Sequence, residues 1–152
     1  MQRLITPSDV LRLAYSSEEL ITSSIILDID IIEAEHNHIL PILGEELMAR
    51  LGNGEYQELM AEYVAPALAM WTRYNVELVA HHRSAMCHNE RPTTADNERL
   101  RTTLRALRNK ASTLTRRLSD HLNANGDDYP DYKAENNPLN RCFIYGDIIQ
   151  IC

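Results

Sequence analysis

The chain has 152 residues, 44% hydrophobic and 24% charged, with 22 acids against 15 bases and a net charge of −7. That length and balance suit one folded domain with a real core, and exclude a fibrous, low-complexity or wholly disordered chain. The acidic excess argues against general nucleic-acid binding, which depends on neutralising phosphates.

Thr6-Pro7-Ser8-Asp9 reads as a helix start. Thr6 caps, Pro7 fits the first helical position, and Asp9 places a carboxylate near the positive helix end. A short helix to about Tyr15 follows, with Val10, Leu11 and Ala14 on one face. Residues 16–24 form a polar connection with an ordered turn at 17–20. The next helix begins near Asp28, with Ile32, Ile39, Leu43, Leu47 and Leu51 at helical spacing. Pro41 and Gly44 interrupt that pattern and predict a break between His38 and Gly44. Gly52-Asn53-Gly54 is a turn. A third helix runs over 55–82, its apolar face reading Tyr56, Leu59, Met60, Tyr63, Val64, Ala67, Leu68, Trp71, Tyr74, Val76 and Leu78, with a bend at Pro66. Residues 84–94 lack a period and read as a loop.

The fourth helix, 94–126, is the best-marked element. Leu100, Leu104, Leu107, Ala111, Leu114, Leu118 and His121 alternate in steps of four and three, the a/d seam of a heptad. It predicts a rod of roughly 45 Å, at about 1.5 Å per residue, closed by Gly126 as C-cap. Its charge is opposite to the rest of the chain. Arg99, Arg101, Arg105, Arg108, Lys110, Arg116 and Arg117 face only Asp96, Glu98 and Asp120, whereas residues 1–80 hold 13 acids and four bases. A basic helix on an acidic body can attract copies of itself or an oppositely charged partner.

Residues 127–152 are turn-rich. Cys142-Phe143-Ile144-Tyr145 and Ile148-Ile149-Gln150-Ile151 flank Gly146-Asp147 and read as a β-hairpin. A lone hairpin is marginal in water, so it must pack on the helices or pair its edge with another chain. The expected fold is mainly α: an antiparallel bundle of four to five helices over 1–126, and a tail with a hairpin over 127–152, in a single domain overall.

Cys87, Cys142 and Cys152 form no CxxC pair and read as reduced thiols. No signal peptide or membrane span is legible, so a soluble protein of the bacterial cytoplasm is expected. Glu-x-x-His occurs twice, Glu33 to His36 and Glu35 to His38, as one half of a di-iron site in a four-helix bundle. No second Glu-x-x-His accompanies it, and a polar helix face is the simpler reading. His81-His82 and Cys87-His88 lie too close together for the usual structural-zinc spacing. No catalytic motif appears, and neither cofactor nor enzymatic activity is expected.

Three segments carry a resemblance: Leu4-Ile5-Thr6-Pro7-Ser8-Asp9-Val10, the 32–51 helix with Pro41-Ile42-Leu43-Gly44 at its centre, and Glu62-Tyr63-Val64-Ala65-Pro66-Ala67-Leu68-Ala69. Leu139-Asn140-Arg141-Cys142, the Gly146 turn and Ile149-Gln150-Ile151 add a fourth. Together they resemble small prophage-type proteins of Bacteroides-like bacteria, a group associated with head–tail connectors (adaptors) of long-tailed phages. The resemblance implies a helical structural protein that forms a ring-like homo-oligomer under the portal, meets portal or tail-completion proteins, and ends in the virion. The interface residues expected from the basic helix and the hairpin are Arg101, Arg105, Arg108, Arg116, Ile144, Tyr145, Ile148 and Ile149. Two alternatives stand: a metal-binding four-helix protein using Glu33, Glu35, His36 and His38, and a helical regulator binding nucleic acid through the basic helix.

Overall fold

The computed structural model describes residues 3–17, 19, 21–87, 93–145 and 148–151, and side chains outside 80–92 and 142–152. The described residues are mainly helical. In chain order they form α1 (Pro7–Ala14), α2 (Asp28–Ala34), α3 (Leu40–Gly52), α4 (Gln57–Leu59), α5 (Ala65–Cys87) and α6 (Thr94–Ala124). Wider π turns, Glu35–Ile39 and Met60–Val64, join α2 to α3 and α4 to α5, so the elements amount to four rods.

The starts follow local chemistry. Thr6 and Asp9 cap each other's backbone at α1, and Thr93 and Asp96 do the same at α6. Both prolines within the rods sit just after a π turn. The Leu40 N–H reaches back to the Glu35 carbonyl and the Ala65 N–H to that of Met60. A proline lacks a donor and crowds the carbonyl four residues earlier; a widened turn ahead of it relieves both. Pro41 is therefore absorbed, and the break expected between His38 and Gly44 falls at Gly44, whose φ is +77°.

α5 lies at the centre and touches α1, α2 and α6. Asn75 meets the Asp30 carbonyl while Trp71 meets His38, and Trp71 meets Thr115 while Tyr63 meets His121. Those crossings make α2 and α6 each antiparallel to α5. Val10, Ile31, Ile39, Leu43, Leu47, Leu59, Leu68 and Leu118 are fully enclosed between the rods.

Several expectations are corrected. In α2 it is Ile31 that is buried, and Ile32 is exposed; Leu78 is exposed as well. Tyr56 is not helical: it precedes α4 with φ +52°, and its ring sits edge-on to Tyr129 at 5.2 Å. The third helix runs on through Cys87 and α6 starts at Thr94, so the loop expected at 84–94 is helical at 84–87 and 94; its residues 88–92 lie outside the described residues. The turn expected at 17–20 includes Glu18 and Leu20, also outside them. In α6 the buried residues are Leu107, Ala111, Thr115, Leu118, Ser119 and Leu122. An unsupercoiled helix drifts about 20° per heptad, which carries the seam from Leu114 and His121 onto Thr115 and Leu122. Gly126 is not the C-cap. Asn125 ends α6, its side-chain amide donating to the His121 carbonyl at 2.9 Å.

The tail after α6 is strapped to the rods. Asn137 is completely buried; its amide donates to the Ser119 hydroxyl and to Tyr132 Oη, both at 2.8 Å, and its oxygen accepts the Leu139 N–H. Asn140 and Asn123 bond each other beside it. Asp131 pairs with Arg50 and Lys133 with Glu46. Beyond the strap, Cys142–Tyr145 (β1) and Ile148–Ile151 (β2) run antiparallel, with Cys142 opposite Ile151 and Tyr145 opposite Ile148.

Two substitutions test this scheme. Gly44→Ala meets no atom within 4 Å, so its cost is the positive-φ extended backbone alone (φ +77°, ψ +165°), about 1–3 kcal/mol in a chemical denaturation curve. Asn137→Ala strands buried partners and should cost about 2 kcal/mol. Amide exchange in 126–141 should then accelerate before exchange in α5 does.

Candidate assembly surface

Arg101, Arg105, Arg108 and Arg116 are all exposed. Steps of four, three and eight residues keep them on one side of α6, over about 22 Å of helix. Among the described residues none of them has a carboxylate within salt-bridge distance, nor do Arg99 and Lys110. The paired cations lie on the other rods and the tail: Arg3 with Asp28, Arg12 with Asp9, Arg50 with Glu55 and Asp131, Arg73 with Glu19 and Glu77, and Lys133 with Glu46. Arg117 points elsewhere and lies over the Tyr63 ring at 5.2 Å. Among the described residues the basic face is thus left without a carboxylate partner.

That face borders a groove of about 280 Å³. Trp71 and His38 line it, with Pro41 and Ile42 from α3, Arg116 from α6 and Leu139 from the strap. Trp71 donates its indole N–H to the Thr115 hydroxyl at 2.9 Å, and the His38 ring stacks on it at 3.6 Å, 6° from parallel. Burial, and then the charge of Arg108, hold the His38 pKa below its ordinary 6.5. His38 is therefore a neutral ring at neutral pH.

The four residues of the metal alternative diverge. Glu33 and His36 are exposed, His38 lies against Trp71, and Glu35 is buried. Glu35 accepts the Leu4 N–H at 2.8 Å and so pins the segment ahead of α1. Burial pushes its pKa up, against the opposing pull of that bond and of Arg3. Glu33 and His36 share the exposed side while Glu35 and His38 turn inward to different partners, and among the described residues no group of three or more His, Cys, Asp and Glu is placed to hold a metal. The His81, His82 and Cys87 side chains and all of His88 lie outside the described residues. Of the expected hairpin contacts, Ile144 pairs with Ile149 and Tyr145 with Ile148 along the backbone; their side chains lie outside the described set, as do Gly146 and Asp147.

Sequence reasoning missed a second surface. Among the described residues, the large apolar side chains left exposed are Ile25, Leu27, Ile29, Ile32 and Leu78. Four of them fall within eight residues at the start of α2, and Ile29 is 59% exposed. Asn75 donates to the Asp30 carbonyl at 3.2 Å, which brings Leu78, one turn further along α5, beside this stretch. The unbroken run Ile-Ile-Leu-Asp-Ile-Asp-Ile-Ile carries more apolar residues than one helix face can bury, which is the signal that was available in the sequence.

A family described as "Family of unknown function (DUF6712)" matches residues 87–141, just over a third of the chain. The matched segment takes in α6, with its arginine face, and the strap. No curated protein matches the chain, and no solved structure does. Among the described residues no helix is long and apolar enough to cross a membrane.

Trp71 is the sole tryptophan, so its emission reports on His38. The unfolded chain protonates His38 near 6.5 and the folded chain only at lower pH. The stability tied to neutral His38 is therefore full above 6.5 and is lost as pH falls below it. Glu35 has the reverse sign: its raised pKa withdraws stability as pH rises above 4.5. Emission of the folded protein should titrate with a midpoint below 6.5, and His38→Gln should remove the step. A midpoint at or above 6.5 would contradict the burial of this ring.

Proposed function

We propose that this chain is a structural phage or prophage protein, a head–tail connector (adaptor) that oligomerises as a ring and docks between portal and tail. The observation that carries the reading is the arginine face of α6, without carboxylate partners among the described residues of a chain whose net charge is −7. Exposed charges of one sign cost little in water, and an opposite surface steers and orients the encounter more than it adds raw affinity. The acidic rods of a neighbouring copy offer such a surface. Two different patches meeting around a rotation axis close into a ring.

The tail supports the same reading. The strap holds residues 126–141 against the rods, so the strands that follow leave from a fixed point. In this proposal they form the hairpin through which Ile144, Tyr145, Ile148 and Ile149 reach a partner, its open edge adding to another sheet. The protein then resides in the bacterial cytoplasm before assembly and in the virion after it, and works without a cofactor or catalysis.

Native mass spectrometry of the purified chain tests this. A metal-free assembly of many copies is expected, and Arg105→Glu with Arg108→Glu should weaken it at least tenfold without altering the helical circular-dichroism signal. A stoichiometric metal would overturn the proposal in favour of a metal protein. A monomer retaining DNA in a salt-sensitive way would overturn it in favour of a nucleic-acid binder.

A further inference from the structure

We infer that the exposed apolar start of α2 on one copy seats against the arginine face and Trp71 groove of a second copy. This rests on the self-assembly reading above and assigns its two contact surfaces.

The argument begins with what each surface lacks. Ile25, Leu27, Ile29 and Ile32 are four of the five large apolar side chains left exposed among the described residues, and Leu78 lies beside them. A soluble chain seldom leaves such a patch in water unless something covers it. The acids beside it are Glu33, which has no cation within 4 Å among the described residues, and Asp28, which shares Arg3. This patch is therefore apolar with a negative rim.

The arginine face and its groove have the complementary character. The groove offers Pro41, Ile42, Trp71 and Leu139, while Arg116 lines it and Arg108 is close enough to depress the pKa of His38. The groove is mixed, its apolar Pro41, Pro138 and Leu139 and the edges of Ile42 and Trp71 lying beside Asn37, Ser112 and Thr115, with a positive rim. Charge complementarity at the edge and apolar surface at the centre are the anatomy of a specific interface. On α2, Ile29, Ile32 and Glu33 are spaced by three and four residues, so they share one side of the helix and can enter the groove together. The patch and the groove belong to different residues, so each copy offers one of each, and the contact repeats from copy to copy.

Two full-length variants test the pairing by complementation. Ile29→Ser with Ile32→Ser disables only the patch. Arg105→Glu with Arg108→Glu disables only the groove side. All four positions are exposed, so both variants should keep the wild-type circular-dichroism spectrum and thermal midpoint. In sedimentation velocity, the wild type should assemble and each variant alone should lose assembly. An equimolar mixture should recover a 1:1 pair and nothing larger, since only one intact patch and one intact groove remain between them. Formation of that pair should also shift the emission of Trp71. Assembly of either variant alone at the wild-type level would overturn the inference and leave the ring reading standing. So would variants that stay monomeric when mixed, because the two surfaces would then serve other partners. A wild type that stays monomeric at all concentrations would overturn the self-docking contact itself, whereas the adaptor reading fails on bound metal or on DNA retention.

Discussion

Trp71 donates its indole N–H to Thr115 on α6 and presents its ring face to His38 on the turn between α2 and α3. One side chain of the central helix thereby sets the distance to both neighbouring rods. A buried indole needs a hydrogen-bond partner, and Thr115 satisfies it while also bonding the Ala111 carbonyl of its own helix. The groove exists because of this arrangement. Moving α6 outward would free Thr115 and strand the indole; moving the π turn would unstack His38.

The two π turns serve that geometry. Each precedes a proline, and each leaves the rod continuous where a tighter helix would have broken. At the first, the widened turn places His38 over Trp71 while Glu35 turns inward to hold the Leu4 backbone. The pair that resembled metal ligands is thus divided between two structural tasks. Their opposite pKa displacements follow from one cause: burial disfavours the charged form of each.

Charge and apolarity are distributed on a different logic from the core. Among the described residues Arg3, Arg12, Arg50, Arg73 and Lys133 are engaged with carboxylates, whereas the arginines of α6 from 101 to 116 are left to solvent. Among the described residues, four of the five large apolar side chains left exposed gather at the start of α2. A chain built only for its own stability gains little from either feature. Both gain meaning when a second surface is brought against them.

Periodicity and capping chemistry were enough to place the rods: Thr6 with Asp9, the Asp28 start, the Gly52-Asn53-Gly54 turn and the leucine-rich fourth helix are local signals, and local signals need no partner. The charge sorting is likewise a property of the sequence. What the chain alone left open was anything set by contact between distant segments. Whether Ile31 or Ile32 faces inward depends on where α5 lies. Whether Pro41 breaks a helix depends on a backbone widening that carries no residue signature. The seam of α6 runs through Thr115 because an unsupercoiled helix drifts from a heptad and because Trp71 supplies a donor there. Asn137 reads as a turn residue, yet it is buried because Ser119 and Tyr132 meet it. The tertiary structure decided these points, since burial and hydrogen-bond partnership belong to pairs of segments and not to either segment by itself.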